Sequence, residues 1–227
     1  MTNADCERAV QHLRAAVDTA PAHGAADRRL WRVRGLKGGA RAFFVWRLLS
    51  QFPRPALIVQ PSAKEAEAFV EALRFFYGED ESAPPFSRRI HYFPAWDVVP
   101  FEDLSPTSET VAARIEGLYH LRQTQHPIVV TTAEALLQRV PPRTPFAERL
   151  RYLVEGDAID LDALAQQLDD WGYRRVPLVE DRGDFAIRGG ILDIFPPAHP
   201  QPLRIELVGD VIEAIREFDP VSQRSLA

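Results

Sequence analysis

Chemistry that depends on particular residue types at fixed spacing is sparse in this chain. The first candidate is the glycine-rich run GLKGGARA at residues 35–42. It falls between a predicted short strand and a predicted helix, where a phosphate-binding loop would sit. Laid on G-x-x-x-x-G-K-[ST], Gly35 matches the first glycine, but Ala40, Arg41 and Ala42 replace the rest. Each replacement removes a function. Ala42 has no hydroxyl to hold Mg²⁺, and Arg41 is a longer, planar cation where a compact ammonium reaches the β- and γ-phosphates. The Cβ of Ala40 crowds a backbone that must wrap phosphate. The strand predicted at Ile128–Thr131 ends in two threonines rather than the acidic pair that completes a motor site.

The second candidate is a pair of strands carrying arginines. The run DFAIRGGILDIFPP (residues 184–197) is answered by PLRIELV (residues 202–208). Leu203, Ile205 and Leu207 alternate with Arg204, Glu206 and Val208, so one face is apolar and the other is not. Phe185 and Ile187 point one way and Arg188 the other, after which Gly189 and Gly190 break the pattern as a bulge would. If the apolar faces share a core, Arg188, Arg204 and Val208 stand together outward. The residues alone leave two readings open: a solvated face with one stray valine, or an interface.

Other chemistry is not signalled. The six histidines, residues 12, 23, 91, 120, 126 and 199, read as scattered, without the ligand spacing of a metal site. No G-x-S-x-G elbow occurs. Asp193, between Leu192 and Ile194, reads as a strand carboxylate bonded to backbone. Asp169 with Asp170 and Glu180 with Asp181 read as exposed acids. No catalytic residue, metal or cofactor is expected.

The elements that position these residues alternate. A helix is predicted over Cys6–Val17 and an Ala/Gly/Pro linker to Ala26. A strand at Leu30–Arg34 and a helix at Gly39–Ser50 follow, then a buried-type strand at Ala56–Gln60. Ser62 and Glu65 form a capping box for a helix to Tyr77, stopped by Gly78. Further strands are expected at Arg89–Phe93, Ile128–Thr131 and Arg149–Val154. Helices are expected at Ser108–Arg122, at Thr132–Val140 before two prolines, and at Leu161–Trp171 capped by Asp160. The aromatic, proline-punctuated stretch HYFPAWDVVPFEDLSP (residues 91–106) is expected to fold back as an ordered loop on Tyr92, Trp96 and Phe101, its acids opposing a nucleic-acid role. Gly209 and Asp210 signal a two-residue hairpin. The fold class is α/β: a parallel sheet flanked by helices, with a small inserted α+β domain. The boundaries fall at residues 1–26 for the N-terminal helix and linker, 27–149 for the α/β domain and 150–227 for the α+β domain. Arg174, Arg175 and Arg182 are expected to border its uncovered sheet face.

A length of 227 residues accommodates one or two domains with real cores. No apolar run approaches the ~18 residues of a membrane span, no signal peptide opens the sequence, and Cys6 is the lone cysteine. A cytoplasmic protein without membrane contact is the simplest expectation. Net charge is −5, which opposes broad electrostatic capture of DNA. Residues 150–227 hold 8 Arg, no Lys and 15 acidic residues, a net −7 that leaves +2 for the remainder.

The run GYRRVPLVEDRGDFAIRGGILDIFPP (residues 172–197), the following LRIEL and FDPVSQRSL, and DVVPFEDLSPTSETVAARIEGLYHL (residues 97–121) occur in this order. Together they resemble the amino-terminal, UvrB-homologous module of the bacterial transcription-repair coupling factors. The match runs from about Leu30 onward and is highly specific. It implies a degenerate motor-type domain that has lost its nucleotide site, with Gly35, Ala40, Arg41 and Ala42 as its remnant, and an inserted domain that recruits the repair protein UvrA. RNA polymerase and double-stranded DNA would be bound by other domains of the full-length, ATP-driven translocase. The residues matching the family's UvrA contact are Arg188, Arg204 and Val208, the last commonly aromatic in relatives. The two arginines are expected to pair with UvrA carboxylates. The DNA-clamping hairpin of UvrB has no room between Pro106 and Arg114. A nucleic-acid translocase fragment with residual nucleotide or DNA binding is the alternative of different class.

Overall fold

A computed structural model describes residues 7–11, 32–79, 88–98 and 105–226. The chain forms two compact units. The predicted N-terminal helix is present over residues 7–11, and the rest of it, with the linker, lies outside the described residues.

The first unit is built on three parallel strands, β1 (Ala56–Gln60), β2 (Ile90–Phe93) and β3 (Ile128–Thr132), in the order β1-β3-β2. Val130 of the central strand pairs with Ile58 on one side and Tyr92 on the other. Every residue of β3 is buried, as a strand flanked on both edges in a parallel sheet requires. Helices α1 (Gly39–Gln51) and α2 (Ala63–Tyr77) cover one face. Ala42, Ala66, Phe69, Val70 and Leu73 meet Ile90, Ile128 and Val130 there. Ser62 caps α2 by accepting the Glu65 amide, and Gly78 closes it in a left-handed cap, as the sequence predicts. Helix α3 (Ser108–Gln123) lies close to β2: a Cβ on Gly117 would stand 3.0 Å from Phe93 Cδ2. The glycine is what permits that approach.

In the second unit, Trp96 and Arg114 join Gln138, which follows the short helix α4 (Ala133–Leu137). The buried Arg114 guanidinium lies 4.1 Å from the Trp96 ring centroid. Gln138 Oε1 accepts from both Arg114 Nη1 and the Trp96 amide. Tyr92, which the sequence places both in the strand predicted at Arg89–Phe93 and in this loop, lies in β2. Phe101 lies outside the described residues. Helix α5 (Arg143–Glu148) precedes residues 149–154, where a strand is predicted and none forms. That stretch finds no ladder partner, and its end is taken up by the Asp157 carboxylate, which accepts the Val154 amide.

Helix α6 (Leu161–Asp170), capped by Asp160 accepting the Ala163 amide, lies on a five-stranded sheet. The strands are β4 (Arg174–Arg175), β5 (Asp184–Arg188), β6 (Ile191–Ile194), β7 (Leu203–Val208) and β8 (Val211–Glu217), in that spatial order. β4 runs parallel to β5 and the others are antiparallel, so the sheet is mixed rather than purely antiparallel. Leu164, Ala165 and Leu168 of α6 pack on Phe185, Leu192, Ile194, Ile205 and Ile212. Burying each of the large side chains among them is worth about 1.5–3 kcal/mol. Gly189 and Gly190 form no bulge. Arg188 pairs with Ile191, so the two glycines are a complete hairpin turn, with Gly189 at φ 60°. The irregularity falls instead between Glu206 and Leu207.

Candidate functional site

The register fixes which side chains share the outward face of the mixed sheet. Ala186, Asp193, Arg204 and Arg216 stand opposite one another across four strands. One step along, Arg188, Ile191 and Glu206 do the same. Because side chains alternate with period two, Arg188, Arg204 and Val208 project to one side, as the alternation predicts.

That face is partly covered by chain rather than by a helix. Val179, Phe195 and Phe218 bury Ala186 in a small second core. Arg204 lies at its edge and is fully engaged within the domain. Nε and Nη2 donate to the two oxygens of Asp193 at 2.7 and 2.9 Å. Nη1 donates to Gln223 O at 3.3 Å, and the guanidinium lies 4.9 Å from the centroid of Phe218. Asp193 is 3% exposed and the Arg204 side chain 19%. The bond from Asp193 holds the Arg204 pKa above its ordinary value, against the opposing effect of desolvation. Asp193 is therefore not bonded to backbone, as its sequence context suggests, but is the partner of Arg204. The signal available was its place eleven residues before an arginine on the next strand.

Arg188 is different. It is exposed and tethered by one bond, Nη2 to Pro177 O at 2.6 Å. No carboxylate of the described residues pairs with it. Beside it Ile191 is exposed, and Val208, 65% exposed, faces Val211 across the Gly209–Asp210 turn. Glu206 is answered by Arg216 at 2.8 Å. Of the bordering arginines, Arg174 pairs with Asp184 at 2.9 Å and Asp181 at 3.4 Å. Arg182 donates to Pro197 O at 2.8 Å and to His199 O. Arg175 is exposed. The surface thus offers Arg188, a cation without a carboxylate partner among the described residues, beside aliphatic side chains, a composition suited to an acidic partner with an apolar rim.

The glycine-rich run at residues 35–42 does not take the course of a phosphate-binding loop. Residues 32–34 form no strand. Gly35 has φ 85°. The Ala40 and Arg41 amides, which would point at a phosphate, donate to Lys37 O and Gly38 O at 3.2 Å. The Ala42 side chain is buried in the core, and Arg41 is exposed.

Residues 152–227 match the UvrB interaction domain. The chain is 38% identical over 196 residues, 86% of its length, to a transcription-repair-coupling factor of Myxococcus xanthus. It is 36% identical over 182 residues (76%) to that of Mycobacterium tuberculosis and 30% over 191 residues (84%) to that of Escherichia coli. It spans 16%, 14% and 16% of these relatives' lengths. No helix among the described residues is long and apolar enough to cross a membrane. The chain is thus similar to a minor part of the transcription-repair-coupling factors, and its residues 152–227 match the UvrB interaction domain.

Proposed function

We propose that this chain is the amino-terminal, UvrA-recruiting module of a transcription-repair coupling factor, acting in the bacterial cytoplasm. It docks UvrA on the outward face of the mixed sheet and so brings nucleotide excision repair to RNA polymerase stalled at DNA damage. Polymerase binding, DNA binding and ATP-driven translocation belong to other parts of the full-length protein. Residues 150–227 are the docking domain, and residues 27–149 a catalytically silent scaffold. Silence fits a phosphate-loop remnant whose amides are spent on its own turn and whose Ala42 cannot ligate a metal.

The observation that carries this reading is Arg188, an exposed arginine beside exposed Ile191 and Val208 within a UvrB interaction domain. Arg188 supplies the cation to a UvrA carboxylate, and Val208 an apolar contact. Arg204 belongs to the same face, but its bidentate fork is already given to Asp193. Its contribution is to hold β6 and β7 and the segment at Gln223 in place, with its remaining exposed edge toward UvrA.

Calorimetric titration of UvrA with this chain tests the proposal. Arg188→Ala should weaken binding by about 2–5 kcal/mol, a factor of roughly 30 to several thousand, with the thermal midpoint unchanged. Equal affinity in the variant would overturn the assignment of the face. Binding of ATP or DNA without UvrA would favour the translocase-fragment reading.

A further inference from the structure

After β8 the chain makes a turn over residues 219–224 that carries more ties than a connection needs. Asp219 N donates to Arg224 O at 2.9 Å and Gln223 N to Asp219 O at 2.7 Å. The Asp219 carboxylate accepts the Ser222 amide at 2.6 Å. Gln223 sits at φ 59°, the sole non-glycine with a positive φ among the described residues. Such a backbone is strained for a residue with a Cβ and persists only where its surroundings over-determine it. Here they do. Gln223 Nε2 donates to Val179 O at 3.1 Å and Pro220 O at 2.6 Å, and Gln223 O accepts from Arg204 Nη1 at 3.3 Å. What this frame displays is Val221, at 91% the most exposed large hydrophobic side chain of the described residues. The turn is continuous with the face that carries Arg188. Arg188 donates to Pro177 O, and Gln223 to Val179 O. Those two acceptors are two residues apart, at most about 7 Å along the chain. Between them Leu178 is 40% exposed, while Val179 is fully buried in the small second core with Ala186 and Phe218. A strap of residues 176–179 thus crosses the outward face from Arg188 to the turn, with an apolar side chain exposed on the way. All of these residues belong to the second unit.

We propose, resting on the reading of this face as the UvrA-docking surface, that the turn at residues 219–224 is its second contact. Val221 enters an apolar depression of the same UvrA surface whose carboxylate meets Arg188, and Leu178 covers the strap between them. A single exposed valine is ordinary on a protein surface. A valine displayed at the tip of a tied and strained turn, on the face that also presents Arg188, is a preorganised knob. It offers apolar area with little conformational freedom left to lose on binding. The two ends of the contact differ in kind. Arg188 engages an acidic surface, and that attraction weakens as salt is raised. Val221 buries apolar area, and salt does not screen that term.

Calorimetric titration of UvrA with the 227-residue chain and its Val221→Ser variant, at low and at high salt, tests the contact. Because Val221 is exposed, the substitution should leave the thermal midpoint unchanged. It should weaken binding about tenfold, the worth of one newly buried valine, and by the same factor at both salt concentrations. The deficit of Arg188→Ala should instead shrink as salt is raised. Val221→Leu keeps the apolar tip and should bind like the parent. A second measurement reads the surface directly. In Cys6→Ser/Val221→Cys, which carries one thiol per chain, saturating UvrA should block labelling of that thiol. If Val221→Ser binds like the parent, or the thiol is labelled as fast with UvrA bound as without it, while Arg188→Ala is weakened, the turn is no contact and the Arg188 reading stands without it. A parent that does not bind UvrA overturns both.

Discussion

Replacing Arg204 with alanine separates a strut from a contact. The side chain gives Asp193 two bonds, gives Gln223 O a third, and covers Phe218. Truncation strands a carboxylate that is 3% exposed. Removing one member of a buried pair costs about 3–5 kcal/mol, because the remaining charge keeps its desolvation penalty. In a domain of this size each kcal/mol moves the midpoint by about 4–8 °C, so Arg204→Ala should lower it by more than about 12 °C. The double variant Arg204→Met/Asp193→Leu removes both charges and should recover most of the loss. Urea unfolding of the parent and both variants, followed by circular dichroism, measures the difference as a change in midpoint at constant slope. Arg188→Ala, lacking any buried partner, should stay within about 0.5 kcal/mol of the parent. If Arg204→Ala were equally mild, or if the double variant were no better than the single, the pair would not hold the sheet as described. Loss of UvrA binding in Arg204→Ala is then interpretable only beside its stability.

Two further outcomes follow from local geometry. A Cβ at Gly190 would stand 2.8 Å from Leu207 O, a backbone atom, so Gly190→Ala should cost about 1–3 kcal/mol by forcing the hairpin off β7, readable in the same urea titration. Burial pushes the Tyr173 phenol up to about 12, so the unfolded chain ionises before the folded one. Stability is retained below the ordinary value near 10 and is lost as pH rises from there toward 12. Burial also raises the Tyr77 and Tyr92 phenols, so a spectrophotometric alkaline titration should show several delayed tyrosines, with the component near 12 absent in Tyr173→Phe.

Elements with dense local signals were legible before any coordinates. The Ser62 and Asp160 caps, the alternation in β7 and the Gly209–Asp210 turn each rest on residues a few positions apart. What the sequence left open depends on distant partners. Alternation tells which face Arg204 occupies, but only register tells that Asp193 stands opposite and takes both bonds. The glycine pair is compatible with a bulge or a turn until Arg188 is seen to pair with Ile191. Residues 149–154 have strand-forming side chains but no ladder to join. The meeting of His91 and His120 follows from β2 lying under α3, a relation carried by no local pattern.

The strand order of the first unit also constrains how it can assemble. β1 and β2 are the edges of the sheet and do not pair with each other; β3, the last of the three in sequence, lies between them. No stable two-strand intermediate can form from the earlier segments alone, since the edge they share is supplied only when residues 128–132 arrive. Closure over so long a stretch of chain makes formation slow relative to a sheet of local hairpins. The same arrangement makes loss sudden: withdrawing the middle strand breaks both ladders in one event, so the sheet should open as a single cooperative unit in hydrogen exchange rather than peel from one side.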